Sequence, residues 1–410
     1  MSFPNHSDIV SIVRFEKDGV DNSWIIMLKD AANLATHLNW VKSLPENSRV
    51  SGVKCEITIE YDMLNGYSAE LSEAAVLEIA RSPDVDTITQ NRIGQQYMES
   101  VNGGHIKTDT SDNNPTVVAT SATQFDASWA LARICRKGRL QGGDAEVDNF
   151  AYYDSPGERK HQVDVYVIDT GIYVQHADFG GRASWGKLLP GATAVDHDGH
   201  GTMVAGLIAG KRWGSGKSAR VIAMKNANEK GKILENFTIA HFNDIIRKAQ
   251  ASQHSIIINY SGGFRNSPSV DRAAVNALKA GVHVCAAVAN DGILAEHDSP
   301  ARVPGVIAVG ATTIDDRPTS KSNFGPYLTL YAPGALVNTT WKDHSQSTIR
   351  ETGTSLAAPL VSGVMANILA VTGTMSPAAL RDLLTEKSET GVLKGVPSGT
   401  HNRMLQNGFD

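Results

Sequence analysis

From residue 128 onward the chain alternates short apolar runs with helical stretches, and this rhythm limits its fold more than any other feature. Runs at 163–168, 220–224, 255–259, 281–288 and 305–309 have the length of strands. Stretches at 200–210, 239–251, 269–280 and 355–371 read as helices. That repetition predicts an α/β fold, a parallel sheet with helices on both faces. In such folds functional side chains gather at the C-terminal ends of the strands.

A smaller unit comes first. Residues 24–28 form a short apolar strand, and 31–41 place Leu34, Leu38 and Val41 on one helical face. Residues 55–61 alternate like a half-buried strand. Residues 71–80 read as a helix with Ser72 and Glu73 at its start, and 85–89 as a last strand. With a turn at Asn65-Gly66, the order β-α-β-β-α-β predicts a small ferredoxin-like α+β domain. Residues 97–127 are rich in Ser, Thr, Asn, Asp and Gly and read as a protease-sensitive linker. The expected division is an extension at 1–22, the small domain at 23–96, a linker containing a processing site at 97–127, and a large domain at 128–410. A length of 410 residues accommodates both domains.

Composition excludes several roles. Lys and Arg total 38 against 43 Asp and Glu, a net charge of −5 with no basic block, so no nucleic-acid partner is expected. The longest apolar stretch, 361–371, is broken by Ser362, Gly363 and Asn367 and falls short of the roughly 18 residues of a spanning helix. No membrane partner is expected either. The first residues, with Asp8, Arg14 and Glu16 interrupting them, do not read as a secretory signal, so the sequence as written reads as intracellular. Cys55, Cys135 and Cys285 make no disulfide framework, and Cys285, in an apolar strand, reads as a buried thiol. No G-x-G-x-x-G follows a strand and no G-x-x-x-x-G-K-[ST] occurs, which argues against a nucleotide site.

Three segments carry chemistry. In Val165-Tyr-Val-Ile-Asp169-Thr-Gly-Ile172 an apolar strand ends in a carboxylate. Alone, such an Asp is more often a turn former. In Asp198-Gly-His200-Gly-Thr-Met-Val-Ala-Gly206 a histidine opens a helix between glycines that permit close backbone approach. In Glu351-Thr-Gly-Thr-Ser355-Leu-Ala-Ala-Pro359 a serine stands in the first turn of a long apolar helix. There it serves either as a cap or as a nucleophile whose oxyanion meets the helix N-terminus. Together they supply what an acyl-transfer serine needs: a base within reach and a carboxylate to fix the base's tautomer.

These segments resemble the subtilisin family of serine endopeptidases, in particular its proteinase K-like group. Residues 128–134, Ser322-Asn-Phe-Gly325, Ala332-Pro-Gly334 and residues 395–400 resemble further landmarks of that group. Residues 66–72 and 82–86 resemble the family's inhibitory I9-type propeptide. The resemblance covers residues 23–92 and 128–408. It implies a self-inhibited zymogen in which Asp169 orients the base, His200 shuttles the proton and Ser355 attacks a peptide carbonyl. Asn290 would line the oxyanion hole, while Ser261, Gly262, Gly263, Ala287 and Ala289 would hold substrate, with 231–234 as a second rail. Peptide or protein substrates are implied, and the chain's own propeptide would fill the cleft. A monomer needing no cofactor is expected. The alternative is a catalytically silent peptide-binding protein on the same fold.

The sequence also departs from the family. Met203 stands where a histidine is usual, Gly262 replaces a leucine, Phe264 a glycine and Ala289 a glycine. The added methyl at Ala289 is expected to narrow the primary pocket toward smaller side chains. Thr329 replaces an aspartate that binds calcium in proteinase K, so that metal site is not expected, while weak structural calcium elsewhere stays open.

Overall fold

The computed structural model describes residues 9–44, 55–98, 106–107, 123–140, 149–154 and 158–408. In the small domain, Gly19–Leu28, Glu56–Tyr61, Gly66–Glu70 and Val85–Arg92 form an antiparallel sheet with Gly19–Leu28 between the last two. Helix Leu34–Ser43 is capped by Asn33, which accepts from Thr36 N, and helix Glu73–Ile79 by Ser72, which accepts from Ala75 N. This is the expected β-α-β-β-α-β order. The boundary differs: Ile12–Val13 adds a strand parallel to Val85–Arg92, so the domain reaches into the stretch read as an extension.

The run Trp24–Leu28 is apolar throughout because both faces of this sheet are covered. Trp24, Ile26 and Leu28 pack under the domain's own helices. Ile25 and Met27 join a core shared with the large domain, beside Phe242 and Ile245.

The large domain is built on a nine-stranded sheet. Its order is Ala183–Trp185, Arg220–Lys225, Val163–Asp169, Ser255–Tyr260, His283–Ala287, Ile307–Thr312, Leu330–Pro333, Arg403–Met404 and Glu389–Thr390. Every neighbouring pair is parallel except the last. Val163, Val165 and Val167 face helices His200–Ala209 and Thr354–Thr372, and Tyr166 and Ile168 face helices Glu235–Ala251 and Pro268–Lys279. Period-two side-chain alternation with two buried faces accounts for the unbroken apolar runs. Helix Thr354–Thr372 is 19 residues long and apolar enough to cross a membrane, yet 89% of its apolar window lies inside the fold. It is the central core helix.

Two features correct the linker reading. Thr123–Ala127 pairs antiparallel with Phe150–Tyr153, so it belongs to the large domain. Ile106–Lys107 pairs antiparallel with strand Thr348–Glu351. Residues 99–105 and 108–122 of that stretch lie outside the described residues. Helix Pro377–Lys387, capped by Ser376, was not read from the sequence. All three cysteines are free, and burial pushes the Cys285 thiol up to about 12.

The domains meet at the start of helix Glu235–Ala251. Its N-cap, Leu234, offers no side-chain acceptor, and Asn91 of the small domain supplies one, accepting from Asn236 N at 3.0 Å. Tyr61 Oη donates to Asn236 O at 3.0 Å, and Met63 N to Asn243 Oδ1 at 2.8 Å. Arg92 Nε meets Glu235 Oε2 at 2.6 Å with both side chains buried. Burial raises the Glu235 pKa, against the pull of Arg92 and of the Ser267 hydroxyl. Removing one member of a buried pair strands the other, at a cost of about 3–5 kcal/mol. Arg92→Ala should therefore lower the unfolding free energy of the full chain by that order in denaturant titration, whereas Arg92→Met with Glu235→Leu should recover most of it. Equal losses in both variants would contradict the assignment.

Candidate active site

The parallel sheet brings the three motifs to one edge. Asp169 ends strand Val163–Asp169, His200 is the first residue of its helix, and Ser355 lies in the first turn of Thr354–Thr372. Asn290 follows strand His283–Ala287. His200 Nδ1 lies 2.8 Å from Asp169 Oδ1 and 3.0 Å from Oδ2, with both side chains buried. A proton on Nδ1 facing the carboxylate leaves Nε2 as the acceptor. His200 Nε2 is buried and has no hydrogen-bond partner among the described residues. Burial pulls the His200 pKa down, but the charge and hydrogen bond of Asp169, helped by Asp198 and Asp196, outweigh it, and the net shift is upward.

Asp196 was not singled out in the sequence. Its Oδ1 accepts from Thr170 Oγ1 at 2.9 Å and Gly199 N at 2.8 Å, and its Oδ2 from Thr202 N at 3.0 Å and Thr202 Oγ1 at 2.6 Å. It therefore ties the residue after Asp169 to the start of the His200 helix. Its place four residues before His200, at a helix start, was the available signal.

Pro359 explains the other wall. A proline inside a helix has no N–H for the carbonyl of the residue four before it, here Ser355. That carbonyl accepts instead from Ser261 Oγ at 3.1 Å, joining the helix to the segment after strand Ser255–Tyr260. The helix starts without a side-chain cap from Gly353; Thr354 N donates to Asn290 Oδ1 at 3.0 Å, which turns the Asn290 amide nitrogen outward.

The cleft so formed holds the tail of the small domain. Gln95 and Gln96 pair antiparallel with Gly263 and Gly262. On the opposite side Gly94 N donates to Ile233 O at 2.9 Å and Ile93 bridges Leu234, so part of the expected second rail is in use. The Tyr97 carbonyl oxygen accepts from Ser355 N at 3.2 Å and from Asn290 Nδ2. Gly353 permits this approach, since a β-carbon there would lie 2.5 Å from that oxygen. Ser355 Oγ donates to Ser261 O at 2.9 Å and accepts from Tyr97 N at 3.1 Å.

The Tyr97 side chain is buried in one cluster with Ala287 and Ala289. An aromatic ring is therefore accommodated beside Ala289 in this chain's own tail, a point that bears on the expected preference for smaller side chains. Room for the ring comes from the facing wall, where a β-carbon on Gly263 would fall on the Tyr97 hydroxyl. Ala289 itself takes a left-handed φ of 72°. Met203 is buried in the core, on the helix that His200 opens. Thr329 does not fit a calcium site: its hydroxyl, in the core, accepts from Ala308 N at 3.1 Å.

Comparison with known proteins agrees with this geometry. The chain matches the subtilase family over residues 160–405 and the peptidase inhibitor I9 family over residues 12–95. It is 31% identical over 407 residues to subtilase-type proteinase psp3 of Schizosaccharomyces pombe, covering 96% of this chain and 84% of that one. It is 32% identical over 401 residues to the alkaline proteinase of Hapsidospora chrysogena, covering 96% and 93%. Among solved structures, a cold adapted subtilisin-like serine proteinase superposes with a TM-score of 0.62 at 31% identity, covering 70% of this chain and 100% of that one. Fervidolysin from Fervidobacterium pennivorans shares the fold, with a TM-score of 0.71 at 17% identity, over 97% of this chain and 62% of that one. The chain belongs to the subtilase family: it is a subtilisin-like serine endopeptidase carrying an I9 propeptide, which acts as its intramolecular inhibitor.

A base must be neutral to accept a proton, so peptide hydrolysis should rise with pH through the elevated His200 pKa. Asp198→Asn keeps an oxygen for His200 N, which Asp198 Oδ1 now accepts at 3.1 Å, but removes a charge that favours the imidazolium. The acidic limb of the rate profile should move to lower pH. An unmoved limb would contradict this electrostatic reading.

Proposed function

We propose that Ser355 is the nucleophile, His200 its base and then the acid, Asp169 the group that orients and stabilises the imidazolium, and Asn290 with the Ser355 N–H the oxyanion donors. We further propose that the first bond cut is the chain's own Tyr97–Met98 peptide. The observation that carries this reading is the Tyr97 carbonyl oxygen resting between Ser355 N and Asn290 Nδ2.

In this reading the Ser355 hydroxyl leaves the Ser261 carbonyl and turns to His200 Nε2, which takes its proton as Oγ bonds to the Tyr97 carbonyl carbon. Negative charge collects on an oxygen that already faces two donors, so little reorganisation is needed. Collapse breaks the C–N bond, and His200 returns the proton to the Met98 nitrogen. Water, deprotonated by His200 in the same way, releases the Tyr97 carboxylate from the acyl-enzyme. The cut tail keeps its pairing with Gly262, Gly263 and Ile233, so the small domain stays as an inhibitor until removed. Nucleophile, base and donors all come from one chain, so neither a cofactor nor a second subunit is needed. Extended protein segments are the substrate class, bound by strand addition along both rails.

A fluorophosphonate probe should label the protein and not Ser355→Ala, and Ser355→Ala should remain full length. Asn290→Ala should slow self-cleavage by about 10²–10³-fold, the cost of deleting the corresponding subtilisin side chain. Labelling of Ser355→Ala, or undiminished processing in Asn290→Ala, would overturn the assignment.

A further inference from the structure

The tail in the cleft carries glycine at 94, four residues before the proposed scissile bond, and the wall beside it carries Phe264. A β-carbon on Gly94 would lie 2.5 Å from Phe264 Cε1, 2.7 Å from Cζ and 3.0 Å from the Gly263 carbonyl oxygen. Real β-carbons do not approach carbon this closely, so either the side chain or the ring must go elsewhere.

The ring has little freedom to move. With the small domain in place Phe264 is 2% exposed, and it shares a core cluster with Ile233, Tyr260 and Val270 of the large domain. Its backbone is held on the far side by antiparallel pairing with Ser299, within the large domain itself. Gly94 is itself fixed between rails, by its N–H to Ile233 O and by the pairing of Gln95 with Gly263. Two pinned strands thus bring a glycine against a buried aromatic ring.

We propose that Phe264 is a specificity-determining residue: its ring occupies the volume into which the side chain of a substrate's fourth residue before the scissile bond would project, so the enzyme selects glycine there. The proposal rests on the reading that residues 94–97 lie in the cleft as a substrate does. It adds a second selection to that of the pocket holding Tyr97. Gly94 is then the chain's own example of the preferred residue. Segments whose fourth residue before the bond is bulky are rejected even when an aromatic residue precedes the bond.

A peptide library randomised at the first and fourth positions before the cleaved bond reads the two selections independently. The processed enzyme should favour glycine over leucine at the fourth position by at least about tenfold, as expected when extra methylenes meet a filled site. Phe264→Ala should cut that preference to about twofold or reverse it, leaving the first-position profile unchanged. In the full chain, Gly94→Leu alters only the tail, so it tests the idea even where Phe264→Ala fails to fold. It should slow self-cleavage by a similar factor, and Phe264→Ala should restore the rate. Equal turnover of glycine and leucine by the unmutated enzyme, or an unchanged fourth-position profile in Phe264→Ala, would overturn the proposal. No turnover of any library member by folded, processed protein would overturn the reading beneath it and this proposal with it. Glycine preference at the fourth position without an aromatic preference at the first would uphold this proposal and reject Tyr97 as a guide to the primary pocket.

Discussion

The Tyr97 carbonyl oxygen needs donors, because a backbone acceptor buried in a cleft without them is costly. The two donors it finds are there for reasons that reach deep into the fold. Ser355 N is free because the first N–H groups of a helix have no intrahelical partner. Asn290 Nδ2 faces the oxygen because Asn290 Oδ1 is taken by Thr354 N, one residue earlier on the same helix. The helix sits where it does partly because Pro359 leaves the Ser355 carbonyl to Ser261 Oγ. One acceptor thus ties together two strand ends, a helix start and the tail of another domain.

The same contacts serve inhibition and reaction. Strand pairing along Gly262 and Gly263 holds the tail as it would hold any extended peptide, and Arg92 with Glu235 anchors it outside the cleft. His200 and Asp169 are already paired, while the Ser355 hydroxyl is bonded to the Ser261 carbonyl rather than to the imidazole. In the proposed reaction, a side-chain rotation takes this arrangement to an attacking one. Binding that survives cleavage makes the product an inhibitor, since the rails grip residues on the N-terminal side of the bond.

Much of this was legible in the residues. Short unbroken apolar runs alternating with helical stretches located the sheet and its helices, and the ends of strands and helices marked Asp169, His200 and Ser355. The ferredoxin-like order followed from three short strand-like runs, a turn at Asn65-Gly66 and two helical stretches, one of them with Ser72 and Glu73 at its start. What escaped depended on partners distant in sequence. Ile12–Val13 is a strand only because Ile88 and Thr89 lie beside it. Asp196 was signalled only by its place before the His200 helix; that it also reaches Thr170, 26 residues away, shows only in the fold. Ala289 was read as narrowing the pocket from its own residue type alone, whereas the closeness of Gly263 to the Tyr97 hydroxyl depends on residues far apart in the chain. Polar composition suggested a linker to residue 127, but pairing with Phe150–Tyr153 claims its last five residues for the large domain.

The most direct test is the C-terminus of the N-terminal fragment released during maturation, read by intact mass and terminal peptide sequencing. Later trimming of the enzyme's new N-terminus leaves this end informative when collected at the earliest time points. The account requires a fragment ending at Tyr97. A first fragment ending beyond Met98, anywhere in residues 99–127, would mean that the Tyr97 carbonyl is not the one attacked.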